Sequence, residues 1–262
     1  MRQNFNYHTH TYRCGHASMD SDESYVLSAI KAGYEILGMS DHAPYPHLSK
    51  PGDSMDYDQM QEYLDSMHYL KEKYANQINL KIGFEMEYFP DMEDYIQQLF
   101  DNNDYLLLGQ HYPDSSASKD YCQEPNTDEL VRRYGDLVCE GMRKFPYLYL
   151  AHPDYFCAGI YDFNEACIET SHRICQTAVE TNTPLEVNIK LAKRRKKQYS
   201  DGIHYWYPFP AFWKIAEQYP VKCVYGFDAH NSELLQDMHM YDIADEILEG
   251  IKLDFIKEPL LK

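Results

Sequence analysis

Seven short apolar runs recur along this chain, and nearly every one ends, on its C-terminal side, in a histidine or a carboxylate. The runs are 5–7, 36–39, 80–84, 105–108, 147–151, 185–187 and 223–227. Longer amphipathic stretches separate them. Residues 22–32 open with cap-type residues, place Val26, Ala29 and Ile30 on one face, and stop at Gly33. Residues 56–74 repeat apolar or aromatic side chains at Met60, Tyr63, Leu64, Met67 and Leu70, and 92–100, 127–144, 165–180 and 210–218 behave likewise. Strand-like runs alternating with helical ones predict parallel βαβ units in an α/β fold. No linker, repeat or low-complexity tract divides the chain, so residues 1–262 read as a single domain. The proline-containing stretches 42–53 and 193–210 read as loops, and 232–256 adds a helix and a last apolar segment.

The run ends carry metal-ligand chemistry. Run one leads into His8 and His10, with His16 just beyond; run two ends in Asp41 and His42, run three in Glu85 and Glu87. Runs four and five lead to His111 and His152, run six to Asn188, and run seven to Asp228 and His230. In a closed parallel barrel, strand C-termini converge on one face, and that face holds the active site. Alternation along a strand puts both members of His8/His10, and of Asp228/His230, on the same side, as joint chelation requires. Seven of the 12 histidines fall at these positions, which chance would scatter. His47, His68, His172 and His239 read as surface or core residues, and His204 stays open as a site residue because it sits in an aromatic loop. These donors are too many for one tetrahedral ion. They suit two or three divalent ions with a carboxylate such as Glu85 as bridge. Mixed imidazole and carboxylate ligands favour Zn, Mn or Fe over Ca or Mg; Cys14, although inside the first motif, is not counted among them. Such a cluster predicts hydrolysis, because bound ions neutralise developing charge and lower the pKa of water.

Composition narrows the substrate. The chain has 24 Lys+Arg against 42 Asp+Glu, a formal net charge of −18, which argues against a long nucleic-acid partner. A small phosphorylated substrate is compatible with it, since bound cations reverse the local field. No apolar run approaches the roughly 18–20 residues of a membrane span, and the first residues lack a signal-peptide core, so a soluble, cytoplasmic protein without a membrane partner is expected. The seven cysteines form no CxxC pair and read as reduced thiols packed as small hydrophobes.

The motifs HTHTYRCGHA at 8–17, SDHAPYP at 40–46, GFEMEYFP at 83–90, GQHY at 109–112, AHPD at 151–154, EVN at 186–188 and GFDAH at 226–230 resemble, in order, those of the polymerase and histidinol phosphatase (PHP) superfamily. Within it, His42-Ala43-Pro44 and 85–90 are most similar to the histidinol-phosphate phosphatases. The resemblance implies a distorted TIM-like (β/α)7 barrel and a trinuclear centre. It places His8, His10, Glu85 and Asp228 on one ion, Glu85, His111 and His152 on a second, and His16, His42 and His230 on a third. Asp41 would support or join the cluster. The implied reaction is hydrolysis of L-histidinol phosphate to L-histidinol and phosphate, with a metal-bound hydroxide attacking phosphorus in line. The alternatives are another PHP phosphoesterase, acting on a nucleotide, a short nucleic acid or phosphotyrosine, and a non-catalytic metal- or phosphate-binding regulator.

After the sixth run the sequence departs from the phosphatase pattern. EVN is followed by Ile189-Lys190-Leu191-Ala192 and then by the basic run 193–197. Arg194 or Arg195 is a candidate phosphate contact, since a guanidinium fork suits phosphate, and Arg13 could do the same from the first loop. Glu87, outside the implied ligand set, could pair with a cationic amine. Asn188 and His204 complete the expected substrate contacts, while Asp41 and Arg13 are the expected catalytic side chains.

Overall fold

The structure, a computed structural model, describes residues 3–46, 53–116, 119–122, 125–190 and 196–261. Four parallel strands pair in sequence order: β1 (Phe5–Asn6), β2 (Ile36–His42), β3 (Asn79–Met86) and β4 (Tyr105–Leu108). β5 (Leu185–Asn188) pairs with β8 (Lys222–Gly226), again in parallel. Run five, at 147–151, is not a full strand but bridges the two groups. Leu150 pairs with both Leu108 and Leu185, and backbone bonds from Leu148, Leu150 and Ala151 run to both neighbours. Thr9 and Ala229 pair at the other side of the curl. There, side-chain amides replace part of the ladder: Gln3 bonds the backbone of Tyr225 in both directions, and Asn6 Oδ1 accepts from Phe227 N. The result is a curled parallel sheet in a mixed α/β fold.

Helices cover the outer side. α1 (Asp22–Ala32) is capped by Ser21, whose hydroxyl accepts from Ser24 N, and ends at Gly33 with φ 85°. α2 (Met60–Lys73), α3 (Glu93–Asn102), α4 (Asp128–Lys144), α5 (Glu165–Thr181), α6 (Pro210–Ala216) and α7 (His239–Ile247) follow the expected stretches closely. Thr127 and Asn164 cap α4 and α5 in the same way. The tail adds β9 (Asp254–Phe255), parallel to β8.

One expectation fails: within 193–210, part of the expected loop is an antiparallel hairpin of β6 (Lys196–Tyr199) and β7 (Gly202–Tyr205). The turn rests on Gly202, at φ 147°. The hairpin is pinned to the segment behind His152, because Lys197 Nζ donates to the carbonyls of Ala158 and Ile160 and the Tyr199 hydroxyl donates to that of Cys157.

Inside the curl, alternate residues form a small core of Phe5, Tyr7, Ile36, Tyr105, Leu107, Tyr149, Ala151 and Val224. Ile256, Leu260 and Leu261 pack beneath it, and Tyr7 Oη exchanges hydrogen bonds with the backbone of Leu261. A larger core lies between sheet and helices. All seven cysteines are free thiols. Among the described residues no helix is long and apolar enough to cross a membrane.

Candidate metal centre

Continuing each inward-facing row past the apolar layer reaches the ligand-type residues: His42 on β2, Glu85 on β3, Glu186 and Asn188 on β5, and Asp228 after β8. Two glycines make the room. A Cβ on Gly109 would fall inside the Glu85 carboxylate, and one on Gly226 inside that of Glu186. Backbone strain marks the same place, since His152 and Asp228 are non-glycine residues at positive φ, 29° and 45°.

Glu85 is the hub. Its Oε1 lies 2.7 Å from His152 Nε2 and 3.7 Å from His111 Nε2. Its Oε2 lies 3.1 Å from His8 Nε2, 3.3 Å from His10 Nε2 and 3.2 Å from His42 Nδ1. Asp228 Oδ1 is 3.2 Å from His10 Nε2 and 3.1 Å from His230 Nδ1, and His230 Nε2 lies 2.7 Å from His16 Nε2. The structure thus brings together all nine expected ligands: His8, His10, His16, His42, Glu85, His111, His152, Asp228 and His230.

These donors fit divalent cations. Among the described residues, His8 Nε2, both ring nitrogens of His10 and Glu85 Oε2 are buried without a hydrogen-bond partner, which is costly unless another partner satisfies them. His8, His10 and Glu85 form one chelating trio, His8, His152 and Asp228 another, and His42, Glu85 and His111 a third. The charges are mutually tuned. Burial opposes ionisation of Glu85, but His8, His42, His111 and His152 hold its pKa well below the usual range. Burial also opposes protonation of His10 and His111, yet the surrounding carboxylates push both up to about 9. His230 is driven well below its ordinary value by burial, with Lys190 and His10 adding to the effect.

A second ring of polar groups orients these ligands. Glu186 Oε1 lies 2.7 Å from His8 Nδ1, while its Oε2 accepts from His152 N and Asn188 Nδ2. Glu87 plays the same part for His111: Oε1 is 2.8 Å from Nδ1, and Oε2 accepts from the backbone N–H groups of His111 and Tyr112. Asp41 stands 3.6 Å behind His10 Nδ1 and accepts from Thr11 and from His42 N. Carboxylate–histidine pairs of this kind fix tautomer and ring orientation.

The remaining expected site residues are placed by their bonds. Arg13 has all its donors engaged by Asp22, Glu62 and Thr11. Asp41 lies behind His10 and is not among the residues lining the cavity. Glu87 lines the cavity and is bonded to His111. Asn188 bonds Glu186 and Asp228. His204 sits on the hairpin against Asp201 and is not among the residues lining the cavity. Arg194, Arg195 and His47 lie outside the described residues. Sequence reading missed Glu186, although it stands two residues before Asn188 on one strand face. It also missed Lys190 and Asp154. Asp154 accepts from Phe209 N and Trp213 Nε1 and so ties the aromatic segment to the site.

The ligands open into a cavity of about 510 Å³. Its outer wall includes Tyr45, Tyr112, Tyr155, Trp206 and Tyr207, with the carboxylates of Asp53 and Asp120.

The PHP domain family matches residues 6–190. The chain belongs to that family. Two curated relatives agree in kind: a probable histidinol-phosphatase of Deinococcus radiodurans is 29% identical over 108 residues, 40% of this chain and 41% of its own length. The histidinol-phosphatase of Bacillus subtilis is 29% identical over 142 residues, 50% of this chain and 53% of its own. The chain thus spans about two fifths to half the length of the curated relatives it matches. This PHP chain also shares its fold with a histidinol phosphate phosphatase of Lactococcus lactis, solved with zinc, L-histidinol and phosphate: TM-score 0.71, 16% identity, over 97% of this chain and 95% of that one. A structure from Listeria monocytogenes proposed to be a histidinol phosphatase aligns at TM-score 0.70 and 20% identity, over 90% and 99% of the two chains.

Proposed function

We propose that this PHP protein is a metal-dependent phosphomonoesterase that hydrolyses L-histidinol phosphate to L-histidinol and phosphate. The observation that carries the reading is Glu85, whose two oxygens face two different sets of histidines inside a closed ring of donors. His8, His10, Glu85 and Asp228 would hold one ion, Glu85, His111 and His152 a second, and His16, His42 and His230 a third, of Zn, Mn or Fe type. Ions so held supply charge neutralisation at the phosphoryl oxygens and acidify water.

The chain's own residues do the rest. Glu186, Glu87 and Asp41 hold His8, His111 and His10 in orientation. Asp154 keeps the segment bearing Trp206 and Tyr207 against the cavity. That aromatic wall excludes water and offers ring faces to a planar imidazole, while Asp53 and Asp120 suit a cationic amino alcohol. The 1–262 span as one catalytic domain, its count as a (β/α)7 barrel with run five as a strand, and a reducing, cytoplasmic setting complete the proposal. The free thiols support the last point.

The test is turnover by purified protein after Zn or Mn loading, on a panel of phosphomonoesters and phosphodiesters. The expected result is phosphate release from histidinol phosphate above all others, abolished by a chelator and restored by metal, with diesters inert. Preference for a nucleotide, a diester or phosphotyrosine would move the substrate elsewhere within the PHP family. Absence of both bound metal and phosphate release would end the enzymatic reading.

A further inference from the structure

The cavity is rich in carboxylates, with Glu85, Glu87, Asp53, Asp120 and Asp228 on its walls. Among the described residues lining it, Lys190 is the sole lysine or arginine. Its backbone N–H donates to Asn188 Oδ1 at 3.1 Å, which fixes the chain as it leaves β5. Its ammonium reaches back to the ligand cluster, 3.1 Å from Asp228 Oδ1 and 3.2 Å from His230 Nε2. Those two atoms belong to the donor set for cations. An ammonium and a divalent ion a few ångströms apart repel, so the two cannot share these atoms comfortably. With the donors engaged by an ion, the partly exposed ammonium is free to turn to any acceptor that enters within reach of the same side chain. A phosphate dianion entering the cavity offers several, at the edge of the donor cluster where its own charge is drawn.

Resting on the phosphomonoesterase reading, we infer that Lys190 is the phosphate-anchoring residue of the site: its ammonium binds a phosphoryl oxygen of the substrate and, after hydrolysis, of inorganic phosphate. An ammonium on a flexible stem acts as a mobile point charge, which suits a group that must leave Asp228 and His230 for an incoming anion. The backbone bond to Asn188 holds the root of that stem while its tip moves.

The experiment compares metal-loaded wild type with Lys190→Met, Lys190→Gln and Lys190→Arg. Inorganic phosphate binding is measured by calorimetry, metal content by elemental analysis, and kcat and KM on histidinol phosphate. Lys190→Met and Lys190→Gln should keep the wild-type metal content, weaken phosphate binding roughly 10- to 100-fold as expected for loss of one charged hydrogen bond, and raise KM in step. Lys190→Arg should recover most of the loss. Phosphate affinity within twofold of wild type in both neutral variants would overturn the inference. So would a wild type that binds no phosphate. Loss of metal in the neutral variants would make Lys190 a support for Asp228 and His230 instead, and extra metal would make it a stand-in for an ion; either outcome overturns the anchoring role. A wild type whose phosphate binding depends on Lys190 but which spares histidinol phosphate would uphold the inference while removing the proposed substrate.

Discussion

Glu186 shows how much of the centre depends on residues that stand behind the donor histidines. It is fully buried and divides its two oxygens between His8 on one side and the His152 and Asn188 donors on the other. Glu186→Gln keeps the shape but turns an amide NH2 toward a donor or toward His8. A 10- to 100-fold fall in metal affinity, of the size typical for loss of such a partner, is expected, with the circular dichroism spectrum unchanged. Metal titration of the two proteins checks it. Protons compete for the same atoms. His10 and His111, pushed up to about 9, are protonated at neutral pH in the metal-free protein. Since ligation needs their neutral form, metal binding must release protons and its apparent affinity must rise between pH 6 and 9. Titrations at several pH values read this directly, and a flat profile would contradict it.

The elements explain which parts of the site were legible in the sequence. Run ends could be read because a parallel sheet sends every strand's C-terminus to one face, so His8, Glu85, His111, His152 and Asp228 needed only their place along the chain to be assigned to one spot. Arg13 could not be read, because its partner Glu62 lies on α2, and nothing local says that a loop arginine will be consumed by a helix 49 residues on. For Glu87 and Asn188 the position was legible but the bonding partners were not, since parity says which face a side chain shares but not which neighbour claims it. The hairpin at 196–205 was hidden because its strands are polar and exposed on one side, with Tyr199 as its main buried anchor. Gly109 and Gly226 carry a further consequence. In Gly109→Ala the new methyl meets the end of the Glu85 side chain, which can swing away. Stability should drop by about 1–3 kcal/mol, as in other overpacked cores, while metal binding suffers far more, because the side chain that yields is the hub of the cluster. Thermal melts set beside metal content would separate the two effects.

Across the whole molecule, one end of the curled sheet is given to chemistry and the other to closure. The inner core between them rests on Ile256, Leu260 and Leu261, and Tyr7, at the heart of that core, is tied to the backbone of Leu261. Truncation after Lys257 removes two leucines from beneath the sheet. A loss of about 2–4 kcal/mol follows from their partial burial, a fall in Tm of several degrees for a chain of this size, with metal content retained. With a net charge of −18, cations held at Glu85 are what would make a phosphate welcome in an otherwise acidic protein.

The central claim is that Glu85 bridges divalent ions held by histidines from several strands. Elemental analysis of wild type and Glu85→Gln, each dialysed after loading with Zn or Mn, tests it most directly. At least two ions per chain in the wild type, falling to one or none in the variant while the fold persists, is the predicted result. Equal metal content in the two proteins, or no retained metal in the wild type, would contradict it.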